Sequence, residues 1–164
     1  MDWTLRDAAL EDAESLAELH VATFRETHGG GPPVSVRRGQ WAELLARADP
    51  RDFTIVVQEA GGSLVAFARG TPHDGGVPGY EGVLNKIYVL RRAHRRGIGR
   101  RLVCAVAQRF LGQGVGSMLL FGDARSRANG FYERMGAEKL FSPEGKFHGG
   151  YGWPDLAALV ARCR

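Results

Sequence analysis

Nothing in this chain approaches a membrane span: no apolar run reaches the roughly 20 residues that a bilayer crossing takes. The opening MDWTLRDAAL is acidic early and holds no apolar core segment, so it does not read as a leader peptide. A soluble, cytoplasmic protein without a membrane partner is expected. Cysteine is scarce. Cys104 and Cys163 are far apart and lack metal-ligand spacing, which predicts no metal site and two reduced structural thiols. Repeats, low-complexity tracts and linkers are missing too, so residues 1–164 are expected to form a single domain. An apolar content of 44% excludes a disordered chain.

What the sequence does have is positive charge, unevenly placed. The formal net charge is +4 and the pI about 9.4. Six arginines fall between Arg91 and Arg101. Nucleic acid, an acidic membrane surface and an anionic cofactor would all suit such a balance. A local cluster suits a compact polyanion at least as well as a long one. No aromatic residues interleave with the arginines to stack bases, so no nucleic-acid partner is expected.

Periodicity supplies the elements. Strands are expected over 3–6, 53–59, 63–70, 80–90, 117–122, 137–141 and 146–153. Helices are expected over 10–24, 35–49, 98–111, 127–136 and 154–163. The first helix carries Ala13, Leu16, Ala17, His20, Val21 and Phe24 on one face, and HGGGPP (28–33) breaks it. The 71–79 stretch reads as a loop, with His73 and Asp74 on the surface. Early strands joined by a hairpin, followed by strands separated by helices, indicate a mixed α/β (α+β) class.

The arginine cluster surrounds HRRGIGRRL (94–102), which lies between a strand and a helix. The first N–H groups of a helix lack intrahelical partners and favour an anion, and glycine lets a phosphate approach closely. The stretch is therefore built like a diphosphate cradle. It is not a P-loop, because GxxxxGK[ST] is absent. Nor is it a dinucleotide fingerprint, because Leu102 stands where the third glycine belongs. The plainer alternative is a basic, solvated helix start.

IYVLRRAHRRGIGRRLV, followed some thirty residues later by RANGFYERMGA, resembles the GCN5-related N-acetyltransferase (GNAT) family. The first segment is similar to the family's acetyl-CoA signature, with His94 at its Gln/Arg position and Arg95 and Arg96 beside it. The later segment resembles the helix that follows in the family, with Arg125 where asparagine is common. The resemblance runs in order along nearly the whole chain. It implies a central, mostly antiparallel sheet of six to seven strands with splayed central strands, flanked by four to five helices. It implies acetyl-CoA as donor, a small-molecule or peptide amine as acceptor, direct transfer in a ternary complex and a possible homodimer.

The same resemblance assigns residues. The backbone of Ile87, Tyr88 and Val89 would pair with the pantetheine arm. His94, Arg95, Arg96, Gly97, Ile98, Gly99 and Arg100 would cradle the pyrophosphate. Tyr132 would be the general acid; its plainer reading is a core aromatic on a face with Ala128, Phe131 and Met135. Many relatives carry a glutamate where Val83 stands, so the base is open between Glu81, Asp123 and water, with Asn85 on the face of Glu81. Both carboxylates have structural readings, a solvated strand start and a turn cap. Phe24 would line the acceptor pocket, with Glu26 and Glu81 attracting a cationic amine. The position of Val83 leaves an acyl-CoA-binding module with little or no catalysis as the second reading.

Overall fold

The computed structural model describes residues 2–164. In chain order its elements are β1 (Trp3–Asp7), α1 (Ala13–His28), α2 (Val34–Leu45), β2 (Phe53–Glu59), β3 (Leu64–Pro72), β4 (Gly82–Val89), α3 (Ile98–Gly112), β5 (Met118–Leu120), α4 (Asn129–Arg134), β6 (Glu138–Phe141), β7 (Phe147–Trp153) and α5 (Leu156–Ala161). Single 3-10 turns stand at Leu10–Asp12 and Arg91–Ala93. The strands are ordered β1-β2-β3-β4-β5-β7-β6. The β1–β2, β5–β7 and β6–β7 pairs are antiparallel and β4–β5 is parallel. This is the expected mixed α/β sheet. Among the described residues no helix is long and apolar enough to cross a membrane.

Boundaries moved where capping outweighed periodicity. Helix α1 continues past Phe24 to His28 and stops at Gly29, whose φ of 81° only glycine takes readily and whose N–H donates to the Arg25 carbonyl at 2.9 Å. Helix α2 ends at Leu45, four residues short of the expected Asp49. Strand β3 runs on to Pro72, into the stretch read as a loop. There the His73 side chain is nearly fully buried, contrary to the surface reading: its Nε2 accepts the Val77 N–H at 3.0 Å. Asp74 is exposed as expected.

The chain divides into two compact units. The first holds the residues up to Arg69 together with Lys86–Leu102. Leu16, Ala17 and Leu19 of α1 and Trp41 of α2 pack there on Val56, Leu64 and Phe67 of the strands, with Tyr88 and Leu90 at the margin. The alternation of Val56, Phe67 and Tyr88 with residues of the other face follows from the two-residue period of a strand. Buried Arg69 is held by Asp52 at 2.6 Å and Thr54 at 3.0 Å.

The second unit holds Gly70–Asn85 and Val103–Arg164. Val103, Val106 and Phe110 of α3, Met118 and Leu119 of β5 and Trp153 of β7 are buried. A Cβ on Gly82 would stand 2.8 Å from the Phe110 ring, so glycine opens β4 because the ring occupies the space. The reduced-thiol expectation is corrected in this unit. Cys104 and Cys163 form a disulfide, S–S 2.04 Å and Cα–Cα 6.1 Å, across 59 residues. Helix α5, capped by Asp155 accepting the Ala158 N–H, returns the chain end to α3. Distance along the sequence carried no information about that return.

Candidate active site

In the first unit the end of β4, the turn after it and the start of α3 form one continuous surface of backbone groups. The Leu90 N–H donates to Val65 of β3 at 2.9 Å. Strand alternation then turns Tyr88 toward β3 as well, and Ile87 and Val89 toward the other edge. The polar backbone groups offered to an added strand are thus those of Ile87 and the N–H of Val89, whose carbonyl is taken by His94, whereas Tyr88 bonds inward. Its ring packs beside His20 and Phe67, with centroids 5.8 and 5.6 Å away.

The turn itself is set by two left-handed residues. Gly97 has φ 78°, and Arg95, φ 63°, is the one non-glycine residue with positive φ among those described. A non-glycine residue is costly in that region, and such strain gathers at binding sites. With Arg96, which lacks positive φ, between Arg95 and Gly97, the alternation turns successive N–H groups to one side and makes a concave anion nest. No bond within the described residues engages the N–H groups of Arg95, Arg96, Gly97 or Ile98. A Cβ on Gly97 would meet nothing within 4 Å, so the cradle opens outward.

The arginines divide in role. Arg92 and Arg96 bind Glu59, at 2.9 and 3.3 Å, and hold its carboxyl below the usual range, Arg92 chiefly. The Arg91 N–H donates to the Glu26 carboxylate at 2.9 Å. Glu26 therefore ties α1 to the turn and is not a loose carboxylate waiting for an amine. The Arg95 side chain is exposed and makes no hydrogen bond or ion pair within the described residues. His94, at the Gln/Arg position, bonds through Nε2 to the Val89 carbonyl at 2.9 Å and so clasps the turn to the strand end. The residues present fit a diphosphate: open N–H groups, a helix N-terminus and an exposed cation.

Against α1 and α2 the same unit forms an open cavity of about 310 Å³, lined among others by His20, Arg37, Trp41, Glu43, Arg47 and Lys86. Burial, then Arg37 and Lys86, push the His20 imidazole down to about 3, so it is neutral in ordinary buffers. Its Nδ1 accepts the Trp41 indole N–H at 3.2 Å. Phe24 does not line this cavity. It borders a crevice of about 10 Å³, its ring against Gly31 and under the Arg37 guanidinium at 5.3 Å. Lys86 was the residue missed in the sequence, though a charge inside the apolar VLNKIYVL was the signal for it.

The second unit carries the remaining residues. Tyr132 is half-buried on α4, with the Phe131, Tyr151 and Trp153 rings 5.5–6.3 Å away. Buried Tyr151 donates to Glu133 at 2.5 Å; burial and that carboxylate push its phenol up to about 12, a pair the sequence did not signal. Glu81 is exposed just before β4, its Oε1 accepting the Gly116 N–H at 3.4 Å. Asp123 accepts the Arg125 N–H at 2.8 Å and caps the turn, its structural reading. Asn85 is exposed, and Val83 is buried. The β4–β5 register lasts only for Gly82↔Met118 and Val83↔Leu119.

Comparison with known proteins meets this geometry. The profile of the acetyltransferase (GNAT) family matches residues 13–137. The uncharacterised N-acetyltransferase YuaI of Bacillus subtilis (strain 168) is 30% identical over 165 residues, covering 95% of each chain. Among solved structures, the PaiA N-acetyltransferase of Thermoplasma acidophilum in complex with coenzyme A superposes with a TM-score of 0.72 at 16% identity, over 93% of this chain and 98% of that one. YncA of Salmonella typhimurium, with acetyl-CoA, gives 0.68 at 15% identity, over 95% of both. The nest at Arg95–Gly97, the short parallel register and these likenesses agree: the chain belongs to the acetyltransferase (GNAT) family, the enzymes that move an acetyl group from acetyl-CoA.

Proposed function

We propose that this chain transfers the acetyl group directly to a primary amine, with both substrates bound together. The observation that carries the reading is the outward-open nest at Arg95–Gly97, two left-handed residues beside the first turn of α3. Its N–H groups and the Arg95 guanidinium would hold the diphosphate of the donor. The free backbone edge at Ile87 and Val89 would take the amide-bearing arm as a strand is taken. Acetyl-CoA supplies the activated acyl carbon.

The chain's own residues would then manage two protons and one developing negative charge. The Val89 N–H lies on the free edge of β4 and would steady the oxygen of the acyl carbonyl. The amine attacks in its neutral form; as the carbon–nitrogen bond forms, nitrogen gives up one proton, and Glu81, directly or through water, would receive it. Tyr132 would give its phenolic proton to the departing thiol sulfur. The carbon–nitrogen bond forms, the carbon–sulfur bond breaks, and the proton lost by nitrogen balances the one gained by sulfur.

Calorimetric titration with acetyl-CoA, with CoA and ATP as controls, tests the reading. Saturable acetyl-CoA binding is expected, and Gly97→Glu is expected to abolish it. The substitution forces a side chain into φ 78° and places a carboxylate in the nest. Equal affinity in that variant, or an equal response to ATP, would return the turn to a plain basic helix start. Val83, apolar and buried where many relatives carry glutamate, favours a second reading as an acyl-CoA-binding module. Binding without thiol release to any amine would support that one.

A further inference from the structure

The cavity between α1, α2 and β4 is cationic, and among the described residues two of its three cations have no carboxylate partner. Arg37, Arg47 and Lys86 line it against one carboxylate, Glu43. Asp52 is already shared by Arg47, at 3.4 Å, and buried Arg69, at 2.6 Å. Within the described residues no carboxylate lies at ion-pair distance from Arg37 or Lys86. The Arg37 Nη1 donates to Gln40 at 3.1 Å, but its Nε is buried without an acceptor. Buried donors and desolvated charges are normally matched, so an orphan N–H beside a half-buried ammonium suits an anionic partner. The Lys86 ammonium is pulled below its usual range, first by burial and then by Arg69 and Arg37. His20, held neutral, offers no compensating charge.

The cavity also stands where an acceptor would. Lys86 immediately precedes Ile87, the start of the free β4 edge, and alternation puts its side chain on the α1 face with Tyr88. One residue along a strand is about 3.3 Å, so the backbone that carries Lys86 directly adjoins that edge. A volume of about 310 Å³ is enough to seat a compact molecule.

We infer that the acceptor is a compact amine carrying its own anionic group, a carboxylate or a phosphate, seated on Lys86 and Arg37. This rests on the amine-acetylating reading above. It replaces the cation-attracting pocket expected from Glu26 and Glu81, since Glu26 is engaged by Arg91.

The test is thiol release from acetyl-CoA with matched acceptors: the common amino acids against their carboxamides, and phosphoethanolamine against ethanolamine. The anionic member of a pair is expected to be preferred roughly ten- to a hundredfold in kcat/KM, the worth of a charge-assisted hydrogen bond. The arm with the larger ratio names the anion. Lys86→Met and Arg37→Met, each checked for acetyl-CoA binding, are expected to level the preference. Equal or better use of the neutral members would overturn the inference. So would a preference that survives both substitutions, or no thiol release in either arm by a protein that binds acetyl-CoA. Failure of the unaltered protein to bind acetyl-CoA would instead remove the acetyltransferase reading, and this inference with it.

Discussion

His20 is 3% exposed, accepts the Trp41 N–H and titrates near 3 instead of 6.5. Between those values the unfolded chain binds a proton that the folded one refuses, so stability rises with pH across that window. The contribution is whole above pH 6.5 and falls away below it. From about pH 6.5 to about pH 5 the loss should be about 2 kcal/mol. Denaturant melts across that range should show it, and His20→Gln, which keeps an acceptor for Trp41, should flatten the slope. An unchanged slope would mean that His20 is protonated in the folded state. Tyr132 is the other residue whose chemistry is separable. Tyr132→Phe keeps the ring among Phe131, Tyr151 and Trp153 and removes only the hydroxyl. Turnover should fall about a hundredfold, the range for a lost general acid, with acetyl-CoA affinity little changed. Equal turnover would take Tyr132 out of the mechanism.

At the scale of elements, glycine decides where backbones meet. Gly149 in β7 has φ 100°, and a Cβ there would stand 2.4 Å from the Asp123 carbonyl carbon. Both the conformation and the contact exclude a side chain, because the obstacle is backbone and cannot rotate away. Gly149→Ala should cost about 3 kcal/mol or more, read as a lower denaturation midpoint. A midpoint near that of the parent would mean that β7 shifts to make room. The element boundaries show how far local pattern carries. Apolar spacing in α1 named most of its buried residues, Leu16, Ala17, His20 and Val21 among them. It missed the end of α1, because Gly29, beyond the apolar stripe, sets that end. In the nest, the two glycines of RRGIGR were visible, but the left-handed Arg95 was not, since nothing in an arginine announces positive φ.

At the scale of the whole chain, the disulfide changes what stability depends on. Cys104–Cys163 closes a 59-residue separation in the second unit, worth about 4 kcal/mol in the chain-entropy picture. Reductant, or Cys163→Ser, should therefore lower Tm by several degrees, and the oxidised protein should show no titratable thiol. A melt indifferent to reductant, with two free thiols, would restore the reduced pair. Disulfides are rare in reducing compartments, so the pair also bears on the cytoplasmic expectation, which rested on reduced thiols. What the sequence by itself determined is local and chemical. Periodicity established most elements, and IYVLRRAHRRGIGRRLV together with RANGFYERMGA carried the resemblance to the family that the comparisons show. Only tertiary structure decided the pairings. It joined Cys104 to Cys163, engaged Glu26 with Arg91 and capped a turn with Asp123. It also left Lys86 and Arg37 without an acid. The reason is that spacing along a chain specifies which face a residue occupies, whereas its charge partner and its burial depend on segments that folding alone brings near.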